Sequence, residues 1–188
     1  MLTDHKLSSN DSLTILVHQL GIKDWSALCQ HVRHLNYGRN SNNADFSLVL
    51  TEARGTCSSK HALLKKLAVL NHVPGVKLML CIFKMNNINT PKIGNTLLEN
   101  GLKYLPEAHC YLKIDNQTYD FTNLNSEFEK IKNDIIEEHE IEAEQVTTYK
   151  SEYHQKYLVV WIELNNLGMD ISRLWEVREQ CILKLSSS

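Results

Sequence analysis

The sequence predicts an α+β fold in which a helix opening at Cys57 packs on a small antiparallel sheet, with further helices at both ends of the chain. Three observations predict it. Behind Gly55 and Thr56, a stop and an N-cap, the run Ala62, Leu63, Leu64, Leu67, Ala68 and Leu70 gives a helix with a wide apolar face. The segments His109 to Ile114 and Thr118 to Thr122 are joined by Asp115-Asn116-Gln117, turn-forming residues that make a β-hairpin. At the two ends, Leu13, Leu16, Val17 and Leu20, and Ile171, Leu174, Trp175, Arg178 and Ile182, recur at helical spacing.

In chain order, Asp11 or Ser12 caps a first helix that stops at Gly21, and Asp24 precedes a second stripe of Trp25, Leu28, Cys29 and Val32. These two form a helical cap over residues 1–45, after which residues 46–125 carry the core of one single domain. Pro74-Gly75 turns the chain into a buried strand, Val76 to Met85. Thr96 to Tyr104 reads as one short helix, and Pro106 marks the exit into the hairpin. The Glu-rich stretch Ser126 to Glu144 reads as a solvated helix or loop. Tyr149, Tyr153, Tyr157, Val160, Trp161 and Leu164 then give a helix, Gly168 ends it, and a last amphipathic helix runs on to a frayed tail, Ser186 to Ser188. Residues 126–188 are thus expected to hold C-terminal helices.

Composition narrows the function classes. With 20 Lys and Arg against 22 Asp and Glu, the formal charge of −2 gives no electrostatic footprint for nucleic acid or anionic lipid. Neither a membrane-spanning run nor the ordered regions of a secretory signal is present, so the expected location is cytoplasmic. The 5 cysteines are odd in number and widely spaced, which reads as reduced thiols rather than a disulfide framework or a zinc ribbon. No cofactor is implied.

One constellation carries chemistry. A nucleophilic thiol needs a helix N-terminus, a cation or a base close by. Cys57 is placed for the first, and its own backbone N–H can donate to a tetrahedral oxyanion. Gly55 would let a substrate backbone pass. If Asp115 and Asn116 form a two-residue loop, position 111 faces 120 and 109 faces 122, so His109 and Asp120 become diagonal neighbours on one sheet face. The carboxylate can then hold one imidazole nitrogen and leave the other for the thiol. A three-residue loop would separate them. Each residue also has a plainer reading: Cys57 as a small buried hydrophobe, His109 and Asp120 as a structural pair, His61 as a histidine satisfied in packing, Arg54 and Lys60 as solvated charges. Arg54 and Lys60 are candidates for steadying a thiolate or a substrate carboxylate, His61 for lining the cleft, and Glu107 for its rim. A zinc site from Cys57, His61, His109 and Cys110 leaves Asp120 idle, and no metal is expected.

Arg54-Gly55-Thr56-Cys57-Ser58-Ser59-Lys60-His61-Ala62-Leu63-Leu64 resembles the nucleophile segment of the transglutaminase-like superfamily, a Gly-x-Cys opening a buried helix. Glu107-Ala108-His109-Cys110-Tyr111-Leu112 and Tyr119-Asp120-Phe121-Thr122 resemble its His-x-aromatic and Asp-x-Thr strands. The resemblance spans Arg54 to Thr122 and implies a papain-like core with Cys57, His109 and Asp120 as catalytic triad. Tyr111 stands where Trp is commoner. Trp25 is a candidate for the role of the transglutaminase tryptophans, or else a core residue. Arg-Gly-x-Cys is also similar to arylamine N-acetyltransferases, which carry a Gly pair that Gly55-Thr56 lacks.

The expected activity is that of a cysteine hydrolase or acyltransferase on peptide, isopeptide or glutamine-type amides, by way of a thioester, with hydrolysis ahead of transfer. Protein or peptide is the expected substrate. The alternative from another class is a non-catalytic transglutaminase-like module that binds a protein through the same cleft.

Overall fold

The computed structural model describes residues 4–126 and 128–186. Asp11 caps α1 (Ser12–Gln19) by accepting from the N–H groups of Leu13 and Thr14, and Asp24 caps α2 (Trp25–His34) through Ala27. A two-residue strand β1 (Asn36–Tyr37) lies inside the polar loop that follows. After α3 (Leu48–Thr51), β2 (Arg54–Gly55) pairs with it in parallel, Tyr37 opposite Gly55. This short pair delivers the chain to α4 (Cys57–Leu70), which starts in a reciprocal capping box between Thr56 and Ser59.

Next come β3 (Val76–Met85), α5 (Thr96–Glu99), β4 (Leu105–Ile114), β5 (Gln117–Tyr119), β6 (Ile135–Ile141), α6 (Thr148–Asn165) and α7 (Ile171–Ser186). The four longer-range strands form one antiparallel sheet in the order β5-β4-β3-β6. Helices cover both faces. Leu78, Leu80 and Ile82 of β3 and Ala108, Cys110 and Leu112 of β4 pack with Leu63, Leu64 and Leu67 of α4 and with the α1 and α2 stripes. On the other side Phe83, Met85 and Leu105 meet Leu158 and Trp161 of α6 and Leu174 and Val177 of α7. Cover on both faces explains why β3 reads as a nearly continuous apolar run. Each fully buried leucine of α4 contributes roughly 1.5–3 kcal/mol of burial.

Several expectations are corrected. The Glu-rich stretch holds β6, an edge strand whose exposed Glu137, Glu138 and Glu140 discourage pairing with another chain. The helix expected over Thr96 to Tyr104 stops at Glu99, because Gly101 takes φ +72° and β4 begins at Leu105, including Pro106. The second hairpin strand stops at Tyr119, short of Asp120. The two expected cap helices are present as α1 and α2, and their Val17, Trp25 and Val32 share one cluster with α4. Of the expected frayed tail, Ser186 closes α7 and residues 187–188 lie outside the described residues. No helix among the described residues is long and apolar enough to cross a membrane.

Candidate active site

The hairpin decides whether His109 and Asp120 can meet. Asp115 and Asn116 both take positive φ, +47° and +66°, as the central residues of a two-residue primed turn do. The register therefore pairs Ile114 with Gln117 and Leu112 with Tyr119. Continued past the end of β5, it sets Asp120 diagonal to His109, and the His109 Nε2 donates to Asp120 Oδ2 at 2.9 Å. The other carboxylate oxygen accepts from the Thr122 N–H at 2.9 Å, which fixes the Asp120 rotamer.

Cys57 is the first residue of α4; its side chain lines one cavity with the His109 ring and is electrostatically coupled to it. His61, one helical turn on and fully buried, donates from Nδ1 to the Cys57 carbonyl (2.7 Å) and accepts the Phe121 N–H at Nε2 (2.8 Å). A neutral imidazole satisfies both bonds, and desolvation lowers its pKa to about 4. His61 thus ties the Cys57 backbone to the segment carrying Asp120. Fully buried Lys60 does the same for the cap, donating from Nζ to the carbonyls of Leu35 (2.6 Å) and Thr122 (2.7 Å). It is a strut rather than a solvated charge.

Electrostatics set Cys57 apart. Burial alone would push its thiol up, but the charges of Lys150 and His109 outweigh it and bring it down to about 6. Burial likewise works against the His109 imidazolium, yet Asp120 and the Cys57 thiolate raise it to about 10. Asp120 is held well below the usual carboxylate range, because His109 more than offsets its desolvation. Between the two values the site stores a thiolate and an imidazolium. The four other cysteines are buried and unpaired, and desolvation pushes every one of them up, Cys110 to about 12 and Cys181 to about 11.

Two cavities meet at the sulfur. One, of about 520 Å³, is lined by Phe83, Met85, Leu185, His109 and Asp120; the other, of about 450 Å³, by Arg39, Ser58, Lys150 and Trp175. Cys57 and Tyr37 line both.

The remaining predicted residues sit differently. Trp25 is fully buried in the core, so its role is packing. Arg54 is exposed, 3.6 Å from Glu52, on the strand side of the helix start rather than at the sulfur. What approaches Gly55 is not a substrate but the chain itself: a Cβ there would lie 2.8 Å from Lys60 Cγ and 2.8 Å from Ser59 Oγ. Glu107 is not a free rim carboxylate. It receives both arms of Arg178 (2.6 and 2.9 Å) with only 8% of its side chain exposed. Lys150 was not legible in the sequence, for it stands off the apolar stripe of its helix, next to Tyr149, and nothing local distinguishes it from a solvated lysine.

No protein-family model, no curated protein and no solved structure matches the chain.

Proposed function

We propose that the chain is a thiol hydrolase of transglutaminase-like type, with a papain-like core, that cleaves amide bonds of a peptide, isopeptide or glutamine kind through a thioester on Cys57. The observation that carries the reading is one thiol at a helix start, lowered by cations, lining the same cavity as a histidine one of whose nitrogens is held by Asp120. The chemistry follows from those positions. The Cys57 thiolate attacks the carbonyl carbon, the carbonyl electron pair moves onto oxygen, and the Cys57 N–H donates to that oxyanion. His109 gives its Nδ1 proton to the leaving nitrogen as the C–N bond breaks, leaving a thioester and a neutral imidazole. The imidazole then takes a proton from water as the water oxygen attacks. Collapse of the second tetrahedral intermediate breaks the C–S bond, releases the acid and restores the thiolate beside the imidazolium. Asp120 holds the ring in one orientation throughout.

Cavities on both sides of Cys57 support a substrate that extends past the scissile bond in both directions, as a polypeptide does. Hydrolysis is favoured because transfer needs a site that holds an amine and excludes water. The test uses a generic acyl donor, p-nitrophenyl acetate, with mass spectrometry of acid-quenched protein. The expected result is a burst of nitrophenolate with acetyl on Cys57 followed by turnover, and loss of the burst in His109→Gln. Equal nitrophenolate release from wild type and Cys57→Ala would overturn the proposal.

A further inference from the structure

The Lys150 Nζ, reaching in from the first turns of α6, lies 3.8 Å from the Cys57 sulfur and donates to the Ser58 hydroxyl at 2.5 Å. The Ser58 oxygen is itself 3.8 Å from the sulfur, so Nζ, Oγ and Sγ form a closed triangle. A lysine tethered in this way holds a fixed position instead of sweeping through solvent. Its surroundings leave it a clear task. Glu107, the carboxylate behind it, is already neutralised by the two-armed contact from Arg178. Tyr37, Cys81 and Cys110, the other titratable groups coupled to the sulfur, are all pushed upward by burial and stay neutral at ordinary pH. The largest charges acting on the thiolate are those of Lys150 and His109, while Asp120 is paired with His109, and Arg39 and Arg178 with Glu179 and Glu107.

We infer that Lys150 is a further catalytic residue of this site, a second cation that holds Cys57 ionised independently of His109. The inference rests on the thiol-hydrolase reading and adds to it. With His109 alone, the imidazolium would be both the counter-ion of the thiolate and the proton donor to the leaving group, so the thiolate would be lost wherever the histidine deprotonates. A permanent ammonium at 3.8 Å separates the two tasks. Burial disfavours its charge, but Cys57, first among the groups that favour it and ahead of Cys110 and Glu107, helps to keep Lys150 above its ordinary pKa.

The experiment is the rate of iodoacetamide alkylation at Cys57 as a function of pH, read by peptide mass spectrometry, in wild type, Lys150→Met and Lys150→Arg, with circular dichroism to verify folding. Lys150→Met is expected to raise the apparent thiol pKa by about one unit or more, roughly a tenfold loss of thiolate on the acid side. Lys150→Arg, which keeps the cation, should remain close to wild type. A Lys150→Met profile that overlays wild type, or an Arg variant shifted as far as Met, overturns the role of charge at this position. If instead wild-type Cys57 alkylates no faster than Cys29 or Cys181, the hydrolase reading itself falls. The two failures are thus distinct.

Discussion

Replacing Asp120 by Asn keeps the shape of the side chain and an acceptor for the Thr122 N–H, but removes the charge that faces His109 Nε2 at 2.9 Å. The size of the effect follows from the distance. At an effective dielectric near that of partly buried sites, a charge pair about 4 Å apart is worth about 4 kcal/mol, or about 3 pKa units. The His109 side chain is 14% exposed, and residual solvent screening reduces this to about 2 units. The imidazolium, at about 10 in wild type, should therefore titrate near neutrality to mildly alkaline pH in Asp120→Asn. The sign is definite. A histidine whose folded pKa is raised contributes stability that is complete below its unfolded value, about 6.5, and is lost as pH rises through the folded value. Wild type should lose this contribution only as pH approaches 10, the variant well before. Long-range proton–nitrogen NMR of the histidine rings across pH reads the change directly. A His109 titration within about half a unit of wild type would refute the coupling of this pair.

Other consequences concern residues whose expected role the structure changed. Glu107→Gln should destabilise the fold by about 3 kcal/mol, the low end for breaking a buried pair, because Arg178 retains Glu179 at 2.7 Å. Chemical denaturation measures it, and the difference from wild type should shrink below about pH 4, since a carboxylate with lowered pKa loses its contribution as pH falls. A stability change under about 1 kcal/mol would contradict a structural Glu107. Gly55→Ala should cost about 1–3 kcal/mol, because the added methyl meets Lys60 Cγ and Ser59 Oγ at 2.8 Å and both side chains are already held by hydrogen bonds; urea unfolding indistinguishable from wild type would count against it. Trp25→Phe should leave the alkylation rate of Cys57 unchanged, as befits a core residue, and a clear loss of thiol reactivity would return Trp25 to the cleft.

What could be read from the sequence was what local chemistry decides. The helix at Cys57 announces itself by a cap and a wide apolar face. The pairing of His109 with Asp120 follows from turn residues able to take positive φ, because in a hairpin the loop length sets which side chains share a face. β6 was not legible because an edge strand is charged for the same reason that it is an edge, so Ile135–Ile141 reads as polar until β3 is seen beside it. The remote partners were not legible either. Arg178 reaches Glu107 across 71 positions and Lys150 reaches Cys57 across 93, and no periodicity links residues that meet only when separate helices pack. Trp25 and Gly55 were given to the cleft for lying near the motif or matching a residue type, whereas packing uses both to hold the frame in which the thiol sits; Glu107 does line both cavities beside Cys57, but as a carboxylate already held by Arg178.

The account turns on a sulfur that is ionised at neutral pH. Its most direct test is the ultraviolet absorbance of the thiolate followed over pH, with the Cys57→Ala protein subtracted from wild type. The account predicts that one thiolate appears with a midpoint at about 6. A midpoint at the value of an ordinary thiol, about 8.5, would contradict it.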